Sequence, residues 1–216
     1  MAVLKATTKN ITIAAEIVKK GGLVVYPTET VYGLGCDPFN IQSVKRLMKI
    51  KKNRSKPLPV LAGSLVDVEK VVIVSQNAKS LASNFWPGSL TMVLSKKPDF
   101  PDIVTLGWNT VGLRIPDHNV ALRLIRSSGG LLIGSSANRT GEPPSRAVKE
   151  LSEELKEMVD VVLDGGPAAK GIPSTVADLT SNTPRILRNG PISLQAILEA
   201  LAFCDQKRDA FDHKIG

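Results

Sequence analysis

Arg114 and Arg188 stand inside or beside strongly apolar stretches, Val111-Gly112-Leu113-Arg114-Ile115-Pro116 and Ile186-Leu187-Arg188-Asn189-Gly190. A guanidinium there is rarely idle, because burying its charge is costly without an anion. That anion is either a ligand or a structural Asp or Glu. Further polar segments fall at strand ends, where open α/β sheets place ligands. One is Tyr26-Pro27-Thr28-Glu29-Thr30-Val31-Tyr32-Gly33-Leu34-Gly35, whose hydroxyls and glycines suit a tight turn approached closely by a ligand. Others are Trp86-Pro87-Gly88-Ser89-Leu90-Thr91, Ser135-Ser136-Ala137-Asn138 with Gly141, and Pro173-Ser174-Thr175-Val176. A different signal comes from Lys45, Arg46, Lys49, Lys51, Lys52, Arg54 and Lys56, a run of cations with no acidic residue among them. Such a run is either a solvated helix face or an attractor of polyanions, a nucleotide triphosphate or a nucleic-acid backbone.

The elements that must position these residues can be read from periodicity. Helices are expected from Asn10 to Lys20, Asn40 to about Lys52, Asn77 to Phe85, Asn119 to Arg126, Arg146 to Met158, and from a Ser193 cap through Leu201. Strands are expected at Leu23 to Tyr26, Leu58 to Ala62, Leu90 to Ser95, Val111 to Ile115, Leu131 to Ser135, Val159 to Leu163, Thr175 to Leu179 and Arg185 to Leu187. Interleaved in this way, they predict an α/β fold: a twisted, mixed parallel and antiparallel sheet flanked by helices. No repeat, low-complexity tract or linker divides the chain, so residues 1–204 read as one domain, followed by a polar tail at 205–216.

Composition narrows the chemistry. The 216 residues are 43% hydrophobic and 22% charged, enough for a core without disulfide or metal staples. The net charge is +8, and the run from Lys45 to Lys56 carries seven of it. Nine aromatics are few for a single-strand binder that stacks bases. The longest apolar runs fall far short of a bilayer span, and no secretory leader is expected. Cys36 and Cys204 are far apart with no CxxC, which fits a reducing cytoplasm. GxxxxGK[ST] is absent, and Gly33-Leu34-Gly35 is only a fragment of a dinucleotide fingerprint. His118 and His213 are the only histidines, which excludes HExxH and leaves His118 as a surface turn residue.

In order and spacing the polar segments resemble the YrdC/Sua5 family, the threonylcarbamoyl-AMP synthases of tRNA modification. PT[DE]TxYGLG is Pro27 to Gly35, KxR is Lys52-Asn53-Arg54, PGxxT is Pro87 to Thr91, and GxRxP is Gly112 to Pro116. SAN is Ser136-Ala137-Asn138, PST is Pro173 to Thr175, and LRxG is Leu187 to Gly190. The family lysine aligns equally well with Lys51, and Ser55-Lys56 leads straight to Pro57 where the family motif is usually followed by a proline and a two- or three-residue loop. The chain is too short to hold the additional C-terminal domain of the longer Sua5 members.

The resemblance implies a single YrdC-like domain with a concave basic cleft, and a reaction in which L-threonine, bicarbonate and ATP give threonylcarbamoyl-AMP, pyrophosphate and water. The product would serve N6-threonylcarbamoyladenosine formation in tRNA through a downstream transfer machinery, with tRNA itself as a further partner. Such chemistry asks for charge neutralisation and alignment more than for histidine proton shuttles. The resemblance implies that Thr28, Thr30, Arg114 and Ser174 bind threonine, with Arg114 on its carboxylate. Lys52, Arg54, Ser136 and Asn138 would form the catalytic phosphate site, with Thr91, Ser145 and Arg188 also facing ATP. Mg²⁺ would arrive with ATP, and no protein side chain is assigned to a metal. The rival reading is a non-catalytic module for double-stranded RNA or tRNA, recognising A-form geometry through one basic face.

Overall fold

The computed structural model describes residues 2–52, 55–139, 141–181 and 183–212, with side chains described as far as residue 203. In chain order the elements are β1 (Ala2–Lys5), α1 (Thr8–Lys19), β2 (Val24–Tyr26), β3 (Gly33–Gly35), α2 (Ile41–Ile50), β4 (Val60–Ala62), α3 (Leu65–Val71) and α4 (Gln76–Phe85). They continue with β5 (Leu90–Ser95), α5 (Asp102–Thr105), β6 (Thr110–Arg114), α6 (Asn119–Ser127), β7 (Leu131–Ile133), β8 (Ser135–Ser136), α7 (Glu153–Met158), β9 (Val161–Asp164), β10 (Thr175–Asp178), β11 (Arg185–Arg188) and α8 (Leu194–Asp212).

Helix starts follow the side chains that can accept a hydrogen bond from the first turn. Thr7, Asn40, Ser64, Ser75 and Ser152 each cap the helix that follows. The amphipathic stretch from Arg146 to Met158 is not one helix. A single 3-10 turn, Val148–Glu150, ends at an extended Leu151, and Ser152 then nucleates α7. The helix that begins after Ser193 runs on to Asp212, through most of the segment set apart as a polar tail.

The strands form two mixed sheets rather than one. The five-stranded sheet has the order β1-β9-β2-β3-β8, and the six-stranded sheet β11-β10-β5-β6-β4-β7. The chain steps from the second to the first at Gly134, between β7 and β8. A Cβ there would lie 2.6 Å from Leu61 Cγ, so the crossing needs glycine.

Alternation decides what each face of the larger sheet carries. Leu90, Met92 and Leu94 of β5, Val111 and Leu113 of β6, and Ala177 of β10 all enter the main core. Their neighbours Thr91, Val93, Thr110, Gly112, Arg114, Val176 and Asp178 line the opposite face, which is an open cavity. A second core lies under α1 and α6, where Ile11, Ala14, Val18, Leu124 and Ile125 pack on Val24, Tyr26, Val161 and Leu163. The strands between the two cores are apolar on both faces, which is why Leu23-Val24-Val25-Tyr26 is a continuous apolar run.

Candidate functional site

The cavity, of about 600 Å³, has the six-stranded sheet as its floor, and the ends of β2, β3 and β8 form its wall. The register lays the floor out in rows. Val176 pairs with Thr91, and Asp178 with Val93. Val93 in turn pairs with Gly112, and Leu61 with Arg114. Thr28, Thr30, Thr91, Arg114, Ser136, Ser174 and Arg188, drawn from six separate segments, all reach this one cavity.

Arg114 is 5% exposed, and its anionic partner within the protein is Glu29. Its Nη1 donates to Glu29 Oε1 and to Gly88 O at 3.4 Å, while Nη2 donates to Thr30 Oγ1 at 3.4 Å. Among the described residues this leaves Nε–H and one Nη2–H, which share an edge of the guanidinium and suit a carboxylate. The Thr28 hydroxyl donates to Val31 O at 2.7 Å, so the 2.9 Å contact between Thr28 and Thr30 runs from the Thr30 proton to Thr28 Oγ1. The chain of donors from Arg114 through Thr30 to Thr28 has one direction. Glu29 Oε2, fully buried, has no hydrogen-bond partner among the described residues.

The loop after β9 braces this corner from outside. Tyr32 donates to Gly166 O at 2.7 Å and accepts from Gly165 N at 3.2 Å, and burial pushes its phenol up to about 12. Lys170 N donates to Glu29 O at 2.9 Å, and Lys170 Nζ donates to Ser89 Oγ at 2.8 Å. Across the floor, Arg188 donates through Nη2 to Ser174 O at 2.8 Å and to Ser174 Oγ at 3.0 Å. Thr91 Oγ1 lies 2.8 Å from the same Ser174 hydroxyl. Burial, with the Arg114 charge adding to it, draws the Arg188 guanidinium below its ordinary value.

At the wall, Lys51 rather than Lys52 meets the Ser-Ala-Asn segment. Lys51 is 2% exposed, and its Nζ donates to Ser136 O at 2.9 Å, to Asn138 Oδ1 at 2.9 Å and to Asn138 O. Ser136 Oγ donates in turn to Asn138 Oδ1. Lys52 is exposed and borders a shallow depression over α2 with Lys45, Met48, Lys49 and Ile103. Arg54 lies outside the described residues. Ser145 is buried beside the wall with its hydroxyl donated to Ala137 O at 2.9 Å. Neither Ser145 nor Asn138 is among the cavity-lining residues. The lining charges are Lys56, Arg114, Arg185 and Arg188 against Asp178, so only Lys56 of the cationic run reaches the cavity among the described residues.

Sequence reasoning left Glu29 unassigned although it quoted the segment that contains it. Its pairing with Arg114 spans 85 positions, and no local pattern signals it. Lys170 and Asp178 were likewise missed. For Asp178 a signal existed, since the alternation of β10 puts it on the face opposite buried Ala177.

The family model Sua5/YciO/YrdC, described as "Telomere recombination", matches residues 16–190. The chain belongs to the Sua5/YciO/YrdC family. It is 38% identical over 189 residues to a threonylcarbamoyl-AMP synthase of Pyrococcus abyssi, covering 87% of this chain and 56% of that one. It is 37% identical over 170 residues to a threonylcarbamoyl-AMP synthase of Coxiella burnetii, covering 77% of this chain and 91% of that relative. Among solved structures, P. abyssi Sua5 complexed with L-threonine superposes with a TM-score of 0.89 at 34% identity, over 93% of this chain and 61% of that one. The chain thus spans about three fifths of the P. abyssi Sua5 structure. As a Sua5/YciO/YrdC member it presents its polar motifs on the inner faces and strand ends of two sheets, around one cavity.

Proposed function

We propose that this chain is a threonylcarbamoyl-AMP synthase, condensing L-threonine, bicarbonate and ATP into threonylcarbamoyl-AMP with release of pyrophosphate. The observation that carries this reading is the convergence in one cavity of a corner fitted to an amino-acid carboxylate, Arg114 with Thr28 and Thr30, and a wall at Ser136 held by Lys51. The relatives named as synthases and the threonine-bound Sua5 structure support catalysis rather than an RNA-binding module alone.

Threonine enters with its carboxylate on the free edge of Arg114 and its side-chain hydroxyl near Thr28 and Thr30. Arg114, already neutralised by Glu29, then offers hydrogen bonds and direction more than net charge. The ammonium and bicarbonate give a carbamate with loss of water and one proton. The carbamate oxygen attacks the α-phosphorus, and the bond to the bridging oxygen of pyrophosphate breaks. Alignment across the cavity supplies much of the acceleration. The protein's cations and hydroxyls, Arg188, Thr91, Ser136 and Lys51 with its segment, steady the phosphate charge. Lys51 takes the phosphate-site role that the motif allowed to either Lys51 or Lys52, because it is Lys51 that touches Ser136 and Asn138.

Mg²⁺ would neutralise the triphosphate. Among the described residues no group of three His, Cys, Asp or Glu could hold it, so ATP oxygens and water are its expected ligands. No described helix is long and apolar enough to cross a membrane, and we place the reaction in the cytoplasm, supplying an acyl donor for tRNA modification. The test is mass-spectrometric detection of threonylcarbamoyl-AMP after incubation with ATP, Mg²⁺, bicarbonate and threonine. Pyrophosphate release that ignores the omission of threonine would overturn the assignment.

A further inference from the structure

The outer face of α2 carries a feature that the synthase reading leaves unused. Ile41, Lys45, Met48 and Lys52 recur there at helical spacing with Lys49 beside them, while Val44, Leu47 and Ile50 enter the main core. Together with Ile103 of α5, Lys45, Met48, Lys49 and Lys52 line an open depression of about 720 Å³. Met48 and Ile103 are half-buried and make its apolar floor, and the three exposed lysines make its rim. At the start of α2, Ile41 is 51% exposed and Phe39 50%. Phe39 rests edge-on against the buried Phe100, with ring centroids 5.8 Å apart, so this apolar end is held in place. From Ile41 to Met48 is two helical turns, about 10 Å, a spacing of anchors that suits a helix laid along a groove.

Among the described residues none of Lys45, Lys49 and Lys52 makes an ion pair, and no acidic side chain lines the depression. Asp102, next to Ile103 in the chain, is paired with Lys96 at 3.0 Å. Three like charges around an apolar floor leave two demands unmet: the floor gains from an apolar cover, and the rim from anions. We propose that this depression docks an acidic amphipathic helix of a partner protein, its apolar ridge on Met48 and Ile103 and its carboxylates toward Lys45, Lys49 and Lys52. A nucleic-acid backbone matches the rim but brings nothing apolar to the floor. The lining also lacks the guanidinium and hydroxyl groups common in phosphate contacts, Arg46 being turned to Asp160. A second copy of this chain is a poorer match, because its acidic helix α7 has six residues and Glu153 and Glu154 are paired with Lys156 and Arg139. The surface is separate from the catalytic cavity, so the proposal stands independently of the synthase reading.

The experiment is fluorescence anisotropy with the full chain and no substrates. One probe is a labelled synthetic peptide of about 18 residues, ~27 Å as a helix, with leucines on one face and glutamates elsewhere. The others are a peptide of the same residues reordered so that no face is apolar, and a labelled RNA duplex of similar length. The amphipathic peptide should bind at least about 10-fold more tightly than the reordered one, since only it covers the floor. Met48→Gln should weaken that binding by about 10-fold and leave the affinity for the RNA duplex unchanged. Lys45→Ala with Lys49→Ala should weaken the peptide by about 3- to 10-fold at low salt. Met48 packs partly on the main core, so circular dichroism melts report whether its variant folds, and the exposed lysine pair decides the matter if it does not. No binding, equal binding of the two peptides, binding that neither variant weakens, or an RNA duplex held more tightly than the amphipathic peptide would overturn the proposal. Sedimentation that shows wild-type self-association, lost in the lysine pair, would give the depression to a second copy and overturn it equally.

Discussion

Arg114 is neutralised by a carboxylate of the protein itself, which changes what its removal would report. Arg114→Ala takes away a bidentate anchor for threonine, a loss of roughly 30- to 1,000-fold in affinity. It also strands Glu29, whose second oxygen already lacks a partner among the described residues, and an unpaired buried charge costs about 3–5 kcal/mol of stability. Replacing the pair together, Glu29→Leu with Arg114→Met, should restore most of that stability, because apolar groups of similar volume often substitute for a buried ion pair at little cost. Thermal unfolding and calorimetry separate the two effects: the double variant should be folded and should not bind threonine. A double variant that still binds threonine would remove Arg114 from the substrate site. The lysines divide in the same way. Lys51→Ala takes three donors from Ser136 and Asn138 and should lower pyrophosphate release by more than about 100-fold. Lys52→Ala, at an exposed position, should change it by less than about 3-fold. The reverse order would return the motif lysine to Lys52.

At the scale of elements, β5 is found where its alternation put it, at Leu90–Ser95, since one face meets the core and the other the cavity. Seven of the expected site residues converge on that cavity because hydroxyls and arginines interrupting apolar strands have few other places to go. What the sequence could not disclose is non-local. β3 reads as a glycine turn yet pairs with β2 and β8, and β1 is mostly exposed and exists only by pairing with β9. The division into two sheets depends on the crossing at Gly134, and the choice of Lys51 depends on where α2 ends relative to Ser136. His118, expected to be an idle turn residue, is the N-cap of α6 and accepts from Ala121 N through Nδ1 at 3.5 Å. That bond requires the neutral ring. Burial lowers the His118 pKa from its ordinary 6.5, partly offset by the carboxylates of Glu29 and Asp117. A depressed folded-state pKa means that this contribution is present above pH 6.5 and lost as pH falls from there through the folded value. His118→Asn keeps a capping acceptor without the titration. The melting temperature of the wild type should therefore fall more steeply below pH 6.5 than that of His118→Asn, and parallel profiles would show that the cap does not titrate.

For the whole molecule, the charge that looked like one cationic face is divided into parts with different partners. Arg46 pairs with Asp160 at 3.0 Å, and Lys51 turns inward to Ser136 and Asn138. Lys56 reaches the main cavity, while Lys45, Lys49 and Lys52 border the shallow depression over α2. Exposed cations of this kind act over about one Debye length, roughly 8 Å at physiological salt. None of Lys45, Lys49 and Lys52 is among the residues that line the cavity holding Ser136. A variant carrying Lys45→Ala and Lys49→Ala together should keep threonine-dependent pyrophosphate release within about 2-fold of the wild type, as surface substitutions do. Polynucleotide affinity is a separate quantity with its own signature. If these cations contact an RNA backbone, the slope of log affinity against log salt should shrink by roughly 0.7–0.9 for each one removed. Measuring both on the same variant separates the two roles of the segment. A graded fall in pyrophosphate release with every cation removed, in step with the salt slope, would mean that this face and not the cavity governs the reaction.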